Sequence, residues 1–228
     1  MANIFTSSIG KKLIMSISGL FLIIFLLLHM TINLFSVIDS INGTFGSPDG
    51  LFAVGCEFMS LPIVTVMVPV LAFGFIIHII YALILTFSNL KARGGYNRYA
   101  VASKARTDSW ASKNMIVLGI IVLGILVFHL THFWADMQLQ EWTGNHAEDP
   151  YLLLTATFGN WFNVVIYIIW FGALWFHLTH GFWSAFQTIG WDNKIWLGRL
   201  KVLAYIFATI IFLGFAIVAV NSCIEACC

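Results

Sequence analysis

The chain alternates between long apolar stretches and short polar ones. Five apolar stretches contain no Lys, Arg, Asp or Glu, and each is long enough to cross about 30 Å of hydrocarbon as an α-helix. They cover residues 13–37, 61–87, 115–135, 162–186 and 203–220. None shows the period-two alternation of a strand, and an open sheet would leave backbone groups unpaired in lipid. The pattern predicts an all-α membrane protein with five transmembrane helices in one bundle.

The polar stretches between these spans contain residues that favour turns. Two examples are residues 42–50, which read NGTFGSPDG, and residues 144–150, which read GNHAEDP. No stretch has the composition of a linker between domains. The sequence therefore predicts a single transmembrane domain over residues 1–228.

Composition agrees with lipid as the main solvent of this chain. Of its 228 residues, 60% are hydrophobic and 9% are charged, whereas soluble domains carry roughly 25% charged residues. The few basic residues lie in short loops, so no nucleic-acid partner is expected. No cleavable signal peptide is expected either, because the apolar run after Lys11 and Lys12 is too long and lacks a small-residue cleavage site.

The positions of Lys and Arg predict the orientation. All 11 lie in the N-terminal segment or in the loops after the second and fourth spans: Lys11, Lys12, Lys91, Arg93, Arg98, Lys104, Arg106, Lys113, Lys194, Arg199 and Lys201. The opposite side carries Asp39, Asp49, Glu57, Asp136, Glu141, Glu148, Asp149 and Glu225. Since basic loops stay inside, we expect a multi-pass inner-membrane protein with a cytoplasmic N-terminus and an outer C-terminus. The basic loops have two interpretations, topology alone or a docking face for a cytoplasmic partner.

The four cysteines do not indicate a metal site. Cys56, Cys223, Cys227 and Cys228 show no CxxC spacing. The three at the C-terminus could be free thiols, form a disulfide or carry a lipid, and the sequence does not choose among these roles.

The histidines are the residues that indicate a functional site. Six of the seven fall within predicted spans, whereas His146 lies in a loop. The six are His29, His78, His129, His132, His177 and His180. An ionisable side chain inside a membrane is costly and usually has a partner or a function. A single buried histidine could simply bond to a neighbouring helix, but six make that explanation weaker.

The depths of four histidines suggest two layers. His29 and His129 lie near the outer ends of their spans, and His78 and His180 lie deeper toward the cytoplasm. At a rise of 1.5 Å per residue, the layers are ~10–15 Å apart. Two histidines per layer, from different helices, suit two stacked bis-histidine haems. A haem with both axial positions filled binds no substrate at the iron and transfers electrons.

Spans three and four share a repeat that leaves the ligand choice open. The repeat is FHLTH, at residues 128–132 and 176–180. Histidines at i and i+3 share a helix face, so either member could be a ligand. We expect a supporting role for His132 and His177, such as a bond to a haem propionate, a place in a quinone pocket or a contact with another helix.

With these histidines placed, the sequence resembles the single-chain, five-helix, di-haem cytochrome b subunits of succinate:quinone and quinol:fumarate oxidoreductases. The resemblance covers nearly the whole chain and is strongest in the first span, from residues 7–16 through Ser18 and Gly19 to His29. Further matches are His78, the Phe-His-Leu at residues 128–130, and His180-Gly181 followed by Ser184. No single motif is diagnostic, but the four occur together in the family's order.

The resemblance implies a set of ligands and cofactors. It assigns His29 and His129 to an outer haem b and His78 and His180 to an inner haem b. It also implies a membrane quinone, menaquinone, as the redox partner. Glu57 and Asp136 are the candidates for proton transfer or quinone contact, although each could be an ordinary interfacial acid. Some family members use an acidic residue two positions before the His-Gly histidine, where this chain has Leu178, which puts that proton route in doubt.

The resemblance also implies partner subunits in a bacterial cytoplasmic membrane. A flavoprotein with FAD and an iron–sulfur subunit would dock on the cytoplasmic face and carry out the succinate/fumarate chemistry. Dimerisation of the whole complex and the direction of the reaction stay open.

Two other classes compete with this interpretation. One is the haem b anchor of another respiratory enzyme, such as a hydrogenase or formate dehydrogenase, or a bc-type cytochrome. The bc type places two haem histidines on one helix about two haem layers apart, and no predicted span here has that pair. The other class is a transporter or proton channel with a histidine relay, which explains the burial but not the two layers.

Overall fold

A computed structural model describes residues 7–92, 109–191 and 193–227. Those ranges contain nine α-helices, one π-helical turn and no strand. The helices are α1 (Ser8–Asn42), α2 (Leu51–Met59), α3 (Pro62–Ala92), α4 (Trp110–Lys113), α5 (Met115–His129), α6 (Gln138–Thr143), α7 (Pro150–Phe158), α8 (Trp161–Thr188) and α9 (Lys194–Glu225). The π-helical turn (Leu130–Trp134) continues directly from α5. The predicted all-α class is confirmed.

Five helices of the described chain are long and apolar enough to cross a membrane. They are α1, α3, α5 with its π-helical turn, α8 and α9, which match the five predicted spans in number and order. The largest difference is at α9, which begins at Lys194 rather than at residue 203. Asn193 explains the earlier start, because its side-chain oxygen accepts hydrogen bonds from the backbone N–H groups of Ile195 and Trp196.

Short helices occupy loops that the apolar pattern left without structure. α2 and α7 lie between the long helices and fold back over the bundle. α7 has a recognisable start, since the Asp149 carboxylate accepts a 2.9 Å hydrogen bond from Leu152 N–H and Pro150 fills the first helical position. That signal is present in the sequence but is too short to register as a span.

Small residues set the distance between the long helices. α8 and α9 share the most extensive interface, and α1 packs against α3, α8 and α9. Ala204, Ala208 and Ala219 of α9 are fully buried. A Cβ at Gly214 would lie 2.5 Å from Met30 Sδ of α1. Close approach through small residues is typical of helix packing in lipid, where packing rather than water exclusion drives association.

The two ends of the bundle differ in charge. At one end, here called the outer end, the Ser40 hydroxyl near the end of α1 bonds to the Glu225 carboxylate at the end of α9. At the other, inner end, Lys201 near the start of α9 lies over the Trp183 ring of α8. The remaining described basic residues lie at the starts of α1 and α9 and the ends of α3 and α4. Arg93, Arg98, Lys104, Arg106 and Cys228 lie outside the described residues.

Candidate functional site

Toward the outer end, two histidines from different helices face one another. His29 of α1 and His129 at the end of α5 have ring centroids 5.8 Å apart, with ring planes at 83°. Phe25 stacks on His29 at 5.4 Å, Phe215 lies 5.7 Å from His29 and Trp170 lies 5.6 Å from His129. The sequence-predicted outer pair is therefore brought together inside an aromatic shell.

A second histidine pair lies deeper in the bundle. His78 of α3 and His177 of α8 have ring centroids 6.3 Å apart, with ring planes at 59°. Ser18 of α1 places its hydroxyl 3.3 Å from His78 Nδ1. A Cβ on Gly119 of α5 would lie 3.9 Å from His177 Cε1. Four helices therefore converge on this pair.

The spacing along two helices separates the pairs into an outer and an inner tier. On α1, Ser18 contacts the inner pair and His29 belongs to the outer pair, which is roughly 16 Å of helix rise. On α8, Trp170 contacts the outer pair and His177 belongs to the inner one, about 10 Å of rise. Both helices give separations close to the range expected from the sequence.

His180, the sequence-predicted inner ligand, lies one turn beyond His177 on α8. Its ring makes an edge contact with Trp183 at 4.9 Å. It also lines a small cavity of about 90 Å³ together with Ser109, Ala111, Thr179, Trp183, Lys201 and Tyr205. Within the described ranges, His78 makes its histidine ring contact with His177 and not with His180. The assignment of His180 as the ligand stays a prediction.

Several of these imidazoles carry a nitrogen without a hydrogen-bond partner. Nδ1 of His129, His177 and His180 is buried and unpaired in the described part of the chain. Buried polar side-chain atoms are normally paired, and leaving one unpaired costs about 1–3 kcal/mol. These three atoms lie on α5 and α8, in or beside the two tiers.

The donor set fits bis-histidine haem. Each observed pair brings two imidazoles from different helices close together, with ring centroids 5.8 Å apart in the outer tier and 6.3 Å apart in the inner one. A porphyrin iron needs only two protein ligands. The described residues contain no group of three or more His, Cys, Asp or Glu that could hold a bare metal ion. Each tier thus presents the number and kind of ligands that a b-type haem takes.

His132 occupies a distinct position beside the outer tier. It lies within the π-helical turn, and its Nδ1 is 3.4 Å from the hydroxyl of Tyr167, a fully buried residue of α8 that also contacts the His129 ring. Asp136 lies four residues further along the chain, just after this turn. Single-turn π-helices occur often at functional sites. The sequence did not indicate this turn, since the apolar pattern runs through it unchanged.

The two candidate proton-transfer residues lie apart from the histidine pairs. Glu57 is exposed on α2, and Asp136 is half-buried just after the π-helical turn. Across the described chain, neither carboxylate makes a hydrogen bond to His29 or His129. Their roles stay predictions.

A buried network at the outer end was missed by the sequence reasoning. Asp39, which the charge pattern placed among the outer acids, is 1% exposed and accepts a 2.6 Å hydrogen bond from the Tyr151 hydroxyl. Burial and the Asp39 carboxylate raise the pKa of Tyr151. A Cβ on Gly50 would collide with the Tyr151 hydroxyl. No local sequence signal pairs residues 39 and 151, because their contact depends on the tertiary fold.

Comparisons with protein-family models, with curated proteins and with solved structures find no match to this chain. The functional interpretation therefore depends on the chain's own residues and on their geometry. The paired imidazoles in two tiers are the feature that any function has to explain.

Proposed function

We propose that this chain is the di-haem cytochrome b anchor of a succinate:quinone or quinol:fumarate oxidoreductase. The observation that carries the proposal is the two-tier arrangement of half-buried histidine pairs on different transmembrane helices. A proton relay would explain histidines inside the membrane but not their arrangement as two pairs in two tiers.

The residues of the chain would hold and tune two haems b. His29 and His129 would ligate the outer haem. The resemblance gives the inner haem to His78 and His180, whereas the ring that contacts His78 is that of His177. When bound, each haem supplies an iron that gains or loses one electron. Phe25, Phe215 and Trp170 pack against the outer pair, and an apolar shell is one of the means by which a protein sets a redox potential.

The two ends of the bundle suit different partners. The basic inner end would face the cytoplasm and receive an iron–sulfur subunit, with a flavoprotein carrying FAD beyond it. The dicarboxylate chemistry would occur there. The protein would reside in a bacterial cytoplasmic membrane.

The outer tier suits exchange with a membrane quinone, for which we propose menaquinone. Quinone reduction consumes protons and quinol oxidation releases them, so groups that bind a proton are needed nearby. Asp136 lies four residues after His132, and the His132 Nδ1 is 3.4 Å from the Tyr167 hydroxyl. Glu57 is the second candidate, on the exposed face of α2.

The test is a visible spectrum of the protein purified from its native membrane, combined with haem quantification and identification of copurifying chains. We expect reduced low-spin haem b bands, two haems per chain, and a flavoprotein and an iron–sulfur protein in the same complex. Absence of haem would overturn the proposal in favour of a histidine relay. Two haems with a different catalytic partner would assign the chain to another respiratory enzyme.

A further inference from the structure

Ser18 of α1 makes two hydrogen bonds. Together they determine where the Ser18 proton lies and which ring nitrogen of His78 carries a proton. Its hydroxyl donates to the backbone oxygen of Met15 at 3.0 Å. The same oxygen lies 3.3 Å from His78 Nδ1 on α3. Ser18 is buried at 8% exposure, so water does not compete for either bond.

The number of protons on the Ser18 hydroxyl decides which atom is the donor in the bond between Ser18 and His78. A serine hydroxyl has one proton and two acceptor lone pairs. Donation from a helical serine to a carbonyl one turn earlier is a common local arrangement. Because the Ser18 hydroxyl donates its one proton to the Met15 backbone oxygen, the Ser18 oxygen can only accept in the second bond. His78 Nδ1–H is therefore the donor. The Nδ1–H tautomer leaves the lone pair of the imidazole on Nε2, which is then free to bind a metal.

Gly19 supplies the steric half of the same arrangement. A Cβ at this position would lie 3.3 Å from His78 Cε1 and 3.7 Å from Nδ1. The shorter distance is tighter than ordinary van der Waals contact, so any larger residue would push the ring away from α1. Ser18 and Gly19 therefore fix the ring by a hydrogen bond and by close backbone approach.

This support distinguishes His78 from three other histidines in or beside the tiers. Nδ1 of His129, His177 and His180 has no partner within the described ranges. A hydrogen bond from the distal ring nitrogen of a metal-bound histidine orients the ring and raises its basicity, and such outer partners affect metal affinity strongly.

We propose that Ser18 and Gly19 form a cradle that holds His78 in the Nδ1–H tautomer and presents Nε2 to the inner haem iron. The inference rests on the proposed function, since it takes His78 as a haem ligand. Ser18 and Gly19 are positioning residues. By strengthening electron donation from His78, the cradle favours the ferric state and lowers the midpoint potential of the inner haem relative to the same site without it.

The experiment compares Ser18→Ala, Ser18→Thr and Gly19→Ala in the intact complex. The matched control is Ser16→Ala, because Ser16 is a buried serine two positions earlier on the same helix, 7% exposed. Readouts are haem content per chain, the electron paramagnetic resonance spectrum of the ferric low-spin haems and a redox titration that separates the two haems.

We expect Ser18→Ala to keep both haems while the signal of one haem shifts and its midpoint potential rises. Ser18→Thr, which keeps the hydroxyl, should restore both values, and Ser16→Ala should change neither. Gly19→Ala should weaken retention of the same haem.

A Ser18→Ala protein with two unchanged haem signals would overturn the cradle while leaving the proposed function intact. Absence of haem from the unsubstituted protein would overturn the proposed function itself. If Ser18→Ala does not assemble, an unperturbed haem in Gly19→Ala would count against the cradle.

Discussion

The Tyr151 hydroxyl donates a 2.6 Å hydrogen bond to Oδ2 of Asp39, a carboxylate that is almost entirely buried. The same carboxylate accepts the backbone N–H groups of Leu51 and Phe52 at 2.8 Å each and the Thr44 hydroxyl at 3.0 Å. Leu51 and Phe52 are the first residues of α2, where a negative charge also interacts favourably with the helix dipole. One side chain thus joins the end of α1, the start of α2 and the start of α7.

Removing the Tyr151 hydroxyl should destabilise this end of the bundle. Tyr151→Phe keeps the ring that packs against Phe45 and Phe52 but removes one donor from a buried carboxylate, which costs about 1–3 kcal/mol. We expect a lower thermal unfolding midpoint in detergent, followed by tryptophan fluorescence. Tyr205→Phe, at a tyrosine that is 52% exposed, is the matched control and should leave the midpoint nearly unchanged.

Asp39→Asn should be more destabilising than Tyr151→Phe. The amide would present an NH2 donor toward one of the four donors that Asp39 now accepts, and the charge-assisted character of all four bonds would be lost. The same unfolding measurement ranks the two variants. Equal midpoints for Asp39→Asn and the unsubstituted protein would show that the network contributes nothing to stability.

The Cys56 thiol should be far less reactive than the thiol of Cys227. Burial, with a smaller contribution from the Asp149 carboxylate, raises the pKa of Cys56 to about 12. Since the thiolate is the nucleophile, about one Cys56 thiol in ten thousand is reactive at pH 8, and this fraction rises about tenfold per pH unit up to the pKa. Cys227 is exposed.

The measurement is the rate of maleimide labelling of two variants that each keep one cysteine, Cys56 or Cys227, with the other three replaced by serine. We expect slow labelling of Cys56 that accelerates with pH and fast labelling of Cys227. Equal rates at pH 8 would show that Cys56 is neither buried nor affected by Asp149 in solution.

Single replacements of the histidines should separate ligands from supporting residues. Replacing His29, His78, His129 or His180 with Ala should remove or disturb one haem and spare the other, because each haem depends on its own pair. Replacing His132 or His177 should leave both haems in place. Haem content per chain and the reduced spectrum are the measurements.

His177 and His180 form the decisive comparison in that series. The resemblance favours His180, whereas the ring contact in the structure joins His78 to His177. Since both residues lie on one face of α8 and one turn apart, the two variants have similar steric effects and control for one another. Loss of a haem in His177→Ala with both haems kept in His180→Ala would transfer the ligand role to His177.

Features that are local in the chain could be predicted from the sequence. The five long helices are set by uninterrupted apolar runs, so their number and order could be predicted. The pairing of His29 with His129 follows from depth along two helices and is also found in the structure. In each case the signal is contained in one segment or in the rise of a single helix.

Features that depend on tertiary contact could not be predicted in the same way. Asp39 and Tyr151 are more than one hundred positions apart and meet only because α7 packs back onto the outer end of the bundle. The i,i+3 repeat leaves His177 and His180 equivalent until the position of His78 relative to α8 is known. Ser18 lies in the first-span stretch that carries the resemblance, but its bond to His78 forms only when α1 and α3 pack together.

The orientation in the membrane can be tested through the C-terminus. All 11 Lys and Arg residues lie in segments that a five-span chain places on one side, and such segments are retained in the cytoplasm. Exposed Cys227 would then lie outside, and a cysteine introduced at Ser109, just before α4, would lie inside.

In spheroplasts, a membrane-impermeant maleimide should label Cys227 directly in a Cys228→Ser chain. It should label Ser109→Cys, in a chain without Cys223, Cys227 and Cys228, only after the membrane is permeabilised. The reverse pattern would place the basic end outside and exclude cytoplasmic partners for that surface.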